Sequence, residues 1–309
     1  MNDFEQAPSL TAILDRLPST HRVLLTGSTE LFPELHPVGA TGLPMLRVDN
    51  PLGRAVIALQ GAHVMAFQPK GQRELLWVSP KCVLAVGQPI RGGIPLCLPW
   101  FGPGPDGQTM HGFGRTSTWS LLGADAQENG ATRLTFELTG DASTSELWPH
   151  AFVFRLEVSV GRELQMTIVA QNIGQQPAPF AFAFHTYFAV GDVAAARVSG
   201  LDGCAFIDKT DQSARKTQSG DVTISTLTDR IYLDVPVRQT VSSGGRQLKV
   251  ESDTRCAVVW NAWTKDRDMP DLGEGNHVGY LCVERGDVAD HAVTLAAGRE
   301  YRAQMTISC

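Results

Sequence analysis

Four stretches of this sequence carry side chains that could move protons or hold an anion. The run Gly279-Tyr-Leu-Cys-Val-Glu-Arg-Gly286 closes an apolar segment with Glu284. Facing inward, such a carboxyl group is desolvated, which raises its pKa and makes it a better base. Facing outward, it is a strand-end acid paired with Arg285. In Phe180-Ala-Phe-Ala-Phe-His-Thr-Tyr-Phe188, strand alternation puts Phe180, Phe182, Phe184 and Phe188 on one face and Ala181, Ala183, His185 and Tyr187 on the other. The alanines leave room beside His185 for a ligand, although a hydrogen-bonded core histidine fits the pattern equally well.

The other two stretches are irregular. Gln88-Pro-Ile-Arg-Gly-Gly-Ile-Pro-Leu-Cys-Leu-Pro-Trp-Phe-Gly-Pro103 holds prolines and adjacent glycines that exclude a regular helix or central strand. An arginine in so rigid a segment suits a pocket wall or a structural salt bridge. Met110-His-Gly-Phe-Gly-Arg-Thr-Ser-Thr-Trp119 brackets Phe113 with glycines and sets His111 and Arg115 four residues apart, able to converge in a turn. Trp100 and Phe113 offer an apolar wall for a ligand, with burial in the core as the alternative. Asp229, in Thr-Asp-Arg-Ile-Tyr-Leu, suits a hydroxyl-orienting role or a turn cap.

The elements that must position these groups are strands. Phe152, Phe154, Leu156, Val158 and Val160 alternate with a mostly polar set. Leu164, Met166, Ile168 and Ala170 do the same after a turn at Gly161-Arg162. Further strands are expected at 55–60, 134–138, 231–235, 247–251, 257–260, 278–283 and 301–307. So many strands overfill one sheet, so two packed antiparallel sheets are expected, an all-β sandwich. Ser9 to Leu17 reads as a short helix capped by Ser9 and ended by Pro18. No linker-like tract divides the chain. The expectation is one domain over 1–309, with 1–40 as a helical lead-in.

Composition narrows the function. The 309 residues carry 26 Lys+Arg against 32 Asp+Glu, a net charge of −6, which argues against a nucleic-acid or anionic-membrane surface. A small anion needs only two or three focused cations. The six cysteines form no CxxC pair, so reduced, mostly buried thiols of a cytoplasmic protein are expected. The acidic N-terminus does not read as a signal peptide, and no apolar run is long enough to span a bilayer. P-loop, dinucleotide-binding and metalloprotease motifs are missing from the sequence, so no cofactor and no metal is expected.

Taken in order, IRGGIPLCLPWFG, HGFGRTSTW, FHTYF, TDRIYL, VVWNAW and CVERG resemble the aldose 1-epimerase superfamily, the galactose mutarotase-like proteins. The RGGIP segment resembles its glucose-6-phosphate 1-epimerase (hexose-6-phosphate mutarotase) branch. The resemblance runs from about Leu46 to the C-terminus. It implies a large antiparallel sandwich and an isomerase that interconverts the anomers of hexose 6-phosphates. By motif position His185 and Glu284 match the catalytic pair, His111 and Asp229 match sugar-binding positions, and Arg91 and Arg115 match positions that bind substrate, including its phosphate. A sugar phosphate is the expected partner of a monomeric chain. A mutarotase for unphosphorylated sugars and a non-catalytic carbohydrate-binding protein are the competing readings. Three departures stand out: Met110 replaces a common Gln, and Ala262 and Arg285 replace prolines. Arg285 would lower the pKa of Glu284 if the two side chains met.

Overall fold

Period-two alternation is realised as two large antiparallel sheets in the computed structural model, which describes residues 9–309. One has nine strands. It contains the hairpin Phe152–Val160 and Leu164–Asn172, with Val160 opposite Leu164 across the expected Gly161-Arg162 turn. Glu300–Ser308 flanks that hairpin on one side and Thr132–Thr139 on the other. The other large sheet has eight strands. Its central run is Thr228–Tyr232, Cys256–Asn261, Tyr280–Asp287 and Phe182–Phe184, with Leu96–Cys97 at the edge. Tyr187–Ala189 also pairs with Tyr280–Asp287.

The inner faces of the two sheets share one core. Phe182, Phe184, Phe188, Leu281, Val283 and Val259 pack in the same cluster as Phe154, Leu156, Met166, Ile168, Val250 and Ile307. Every phenylalanine of the 180–188 run lies in this layer, as alternation requires. Truncating one of them to Ala removes about 3–5 kcal/mol through lost transfer energy and the cavity left behind. The outer face of the eight-stranded sheet carries a smaller cluster, including Cys97, Ala183, Ile207, Ile231 and Val258. His185 and Glu284 lie on this outer face.

The first third of the chain departs from expectation. Residues 9–40 are more than a helical lead-in, because Arg22–Gly27 pairs with Pro44–Asn50 in a separate four-stranded sheet; the 1–8 part of that expected segment lies outside the described residues. Its burial alternates poorly, with Leu24 and Leu25 both exposed, so it left no period-two signal. Ser9 does cap a helix, accepting the Ala12 N–H at 3.3 Å, but that helix covers only Leu10–Leu14. Pro18 disfavours helical backbone at the residue before it, so the last turn unwinds early. Among the described residues there are three short α-helices, and no helix is long and apolar enough to cross a membrane. All six cysteines are free, and Cys82, Cys97, Cys256 and Cys282 are buried.

Candidate active site

His185 and Glu284 meet because of strand register. Phe184 stands opposite Arg285 and Tyr187 opposite Cys282, which puts His185 directly across from Glu284. Residues so placed share one face with their Cβ atoms about 4.5–5.5 Å apart. His185 Nε2 lies 3.4 Å from Glu284 Oε1, and both side chains are buried. The flanking geometry holds the pair there: the His185 N–H donates to Pro95 O at 2.9 Å, and Val283 N–H donates to Thr186 O at 3.3 Å. Neither His185 Nδ1 nor Glu284 Oε2 has a protein partner.

Burial favours neutral forms. It pushes Glu284 well above the usual carboxylate range, with the nearby Asp229 charge adding to the shift and Arg115 opposing it. It pulls His185 well below the usual imidazole range, and His111, Arg115 and Arg91 add to that. Arg285 has no part in this balance. Its side chain points to the opposite face, where it is fully buried and donates to Cys256 O, Val237 O, Thr254 O and Gln239 Oε1. The strand also runs on to Asp287, so Glu284 is an interior strand residue and not an exposed strand end.

The RGG segment delivers Arg91. Gly92 and Gly93 have φ of +119° and +61°, and a Cβ on either would collide with the backbone at Trp77 or Val64. His63, buried and pulled down to about 4 by burial, donates from Nε2 to Gly92 O at 2.8 Å and braces the turn from behind. Arg91 then forms a salt bridge, one of the two roles its segment suggested, with a partner the sequence did not name. Nε and Nη2 donate to the two carboxylate oxygens of Asp271 at 3.0 and 3.2 Å, and Nη1 donates to Tyr187 Oη at 3.1 Å. Three of its five N–H groups are thereby engaged. Tyr187 in turn stacks on His185, with ring centroids 4.8 Å apart and planes 8° apart.

The second loop brings His111 and Arg115 to the same place. His111 sits at φ +66° and is locked to Gly102: its N–H donates to Gly102 O at 2.7 Å, and its Nδ1 accepts the Gly102 N–H at 3.2 Å. With Nδ1 accepting, the ring proton is on Nε2. Burial, then Arg115 and Arg91, pull His111 down to about 3, so the ring stays neutral. Its centroid lies 5.6 Å from that of His185. Arg115 donates one bond, from Nη2 to Met110 O at 2.6 Å, and its buried Nε has no partner. Met110 thus contributes a backbone carbonyl here, while its side chain is exposed.

Asp229 is a strand residue and not a turn cap, standing opposite Trp260 on the outer face. Burial raises its pKa. Phe113 turns into the core beside Phe152 and forms no part of the wall. The aromatic surfaces at the pair belong instead to Tyr187 and Trp260, the latter edge-on to His185 at 6.1 Å. All six expected residues, Arg91, His111, Arg115, His185, Asp229 and Glu284, thus fall in one neighbourhood. Asp271, Tyr187 and Cys282 join them. Cys282 and Tyr187 share faces that period two already defined, whereas Asp271 lies in a loop 180 residues from Arg91 and left no local signal. A surface cavity of about 650 Å³ lined by Glu34, His36, Lys81 and Val83 lies elsewhere and includes none of these groups.

The buried His185–Glu284 pair thus lies across neighbouring strands on the outer face of a β-sandwich. The aldose 1-epimerase family model matches residues 44–308. A Salmonella typhimurium protein named "Putative glucose-6-phosphate 1-epimerase" is 34% identical over 263 residues, covering 82% of this chain and 87% of the relative. An Escherichia coli protein of the same name is 34% identical over 248 residues, 78% of this chain and 82% of that one. A solved Salmonella typhimurium structure described as a "putative mutarotase" superposes with a TM-score of 0.80 at 32% identity, covering 86% of this chain and 90% of the other. The chain belongs to the aldose 1-epimerase family. It is an epimerase, an isomerase whose substrate is a small sugar.

Proposed function

We propose that this protein is a glucose-6-phosphate 1-epimerase, interconverting the α and β anomers of hexose 6-phosphates by opening and reclosing the ring. The observation that carries this reading is the 3.4 Å approach of His185 Nε2 to Glu284 Oε1 on a face that also gathers Arg91 and Arg115. Anomer exchange needs one base at the C1 hydroxyl and one acid at the ring oxygen. Those oxygens are bonded to the same carbon and lie closer together than the two protein groups, so both can be engaged at once.

The chemistry needs a pair that holds one proton. Burial puts that proton on Glu284, leaving His185 neutral. As sugar hydroxyls enter and solvate the carboxylate, the proton passes to His185. Glu284 then removes the C1 hydroxyl proton while His185 protonates the ring oxygen. The C1–O5 bond breaks to give the aldehyde, C1–C2 rotates, and the ring closes on the other carbonyl face with the roles reversed. Asp229 and the Nε2–H of His111 hold hydroxyls. Each positioned proton transfer contributes about 10²–10⁴-fold.

Support for a phosphorylated substrate comes from the two arginines and from the names of the curated relatives. Guanidinium groups match phosphate oxygens and stay charged. With one N–H donated to Met110 O and Nε buried, Arg115 keeps three N–H groups available against two for Arg91, so Arg115 is the principal phosphate ligand and Arg91 the oriented auxiliary. The commitment of Arg91 to Asp271 is the one observation that favours an unphosphorylated sugar. An anomer assay on purified protein decides between the two. Faster equilibration of α-glucose 6-phosphate than of galactose or glucose supports the phosphate reading, and the reverse order overturns it.

A further inference from the structure

Cys282 lies two residues before Glu284 on the Tyr280–Asp287 strand, so its thiol shares the outer face. One donor atom each from His185, Cys282 and Glu284 lie within 4.8 Å of one another, and all three residues are buried. We propose that these side chains form a binding site for a zinc-like divalent cation and that its occupancy stops the epimerase reaction. The inhibition half of this inference rests on the catalytic reading of His185 and Glu284; the binding half does not.

Several features converge on such a cation. Nitrogen, sulfur and carboxylate oxygen are the ordinary zinc donors, and three protein ligands leave a fourth position for water or a competing hydroxyl. Bonds of about 2.0–2.1 Å in a tetrahedron put nitrogen and oxygen ligands about 3.3–3.4 Å apart. His185 Nε2 and Glu284 Oε1 are already at 3.4 Å. The remaining polar atoms of the two groups, His185 Nδ1 and Glu284 Oε2, have no protein partner, so the ring and the carboxyl are not tied into another network. Charge also balances. A thiolate, a carboxylate and a neutral imidazole around a dication sum to zero, the state a buried site tolerates best. Binding displaces two protons, one from the thiol and one from the His185–Glu284 pair. Arg115 and Arg91 oppose the cation, which keeps its hold reversible.

The test is a cobalt(II) and zinc(II) titration of the full chain after chelator treatment. Cobalt is expected to bind one equivalent with a sulfur-to-metal charge-transfer band and visible bands of tetrahedral intensity. The charge-transfer band should vanish in Cys282→Ala and in Cys282→Ser, and persist in Cys309→Ser, which removes the exposed thiol. Zinc should inhibit anomer exchange reversibly. With each variant referred to its own zinc-free rate, the inhibiting concentration should rise at least about tenfold in Cys282→Ala, since loss of even an outer partner of a metal ligand typically costs 10–100-fold. An unchanged charge-transfer band in both Cys282 variants, or equal zinc sensitivity with and without the thiol, overturns the site. A Cys282-dependent band with full activity at saturating cation upholds the site and removes His185 and Glu284 from catalysis.

Discussion

Glu284 and Arg285 are consecutive residues of one strand, both buried and both ionisable, yet their surroundings are opposites. Arg285 points between the sheets. Its guanidinium donates to the carbonyls of Cys256, Val237, Ser252 and Thr254 and to Gln239 Oε1, so it joins the eight-stranded sheet to strand ends and adjoining loops of the nine-stranded one. It has no carboxylate partner, and burial lowers its pKa to about 10. Glu284 points outward, with one oxygen against His185 and the other without a partner. A buried charge that serves structure has its valences filled. A buried charge that serves chemistry keeps one open and accepts the desolvation cost, which appears as a shifted pKa.

That contrast makes the largest effects fall on activity at one residue and on stability at its neighbour. Glu284→Gln and His185→Ala should each slow anomer exchange by about 10²–10⁴-fold while the protein stays folded, measured by exchange NMR and thermal melting. Stability should separate them further. The pKa of Glu284 is raised on folding, so the stability it contributes is present below the ordinary carboxylate pKa and lost as pH rises through the raised value. Glu284→Gln should therefore be at least as stable as the parent at neutral pH, and a lower melting temperature there would break the comparison. Arg285→Met should do the reverse. It should lose about 3–5 kcal/mol of stability by orphaning the carbonyl cage, with little change in kcat for the folded fraction. Denaturant titration and kinetics on one sample would show both.

The next effects sharpen the electrostatics. Arg115→Ala should raise KM for the phosphorylated sugar much more than for the free sugar, and Asp271→Asn should do so more weakly by loosening Arg91; equal effects on both sugars would remove the arginines from the phosphate. The smallest effect expected is on the pH profile. Below the lowered His185 pKa the pair carries two protons and lacks a base, and above the raised Glu284 pKa it carries none and lacks an acid. The kcat/KM profile, which reports the ligand-free pair, should be a broad bell, its acid limb well below 6.5 and its alkaline limb well above the carboxylate range. An alkaline limb at an ordinary carboxylate value would mean that Glu284 is solvated.

Sequence alternation made much of this readable. The phenylalanine layer, the Gly161-Arg162 hairpin and the common face of His185 and Tyr187 follow from period two, because one face of each strand is sealed in the core. The orientation of Glu284 away from Arg285 was implicit in the same rule, although which of the two faced the core was not. Asp271 could not be read, since its role depends on a loop meeting Arg91 from 180 residues away. The Arg22–Gly27 strand could not be read either, because consecutive Leu24 and Leu25 are both exposed and break the alternation. Asp229 was ambiguous for a local reason: Asp favours turns, and only its pairing opposite Trp260 makes it a strand residue.

The central claim is that His185 and Glu284 act as one unit sharing one proton. A double-mutant cycle on anomer exchange tests it directly, using Glu284→Gln, His185→Ala and the double variant. If the pair is a unit, the double variant should be no slower than the slower single variant. Rate losses that multiply would show two independent groups and contradict the account.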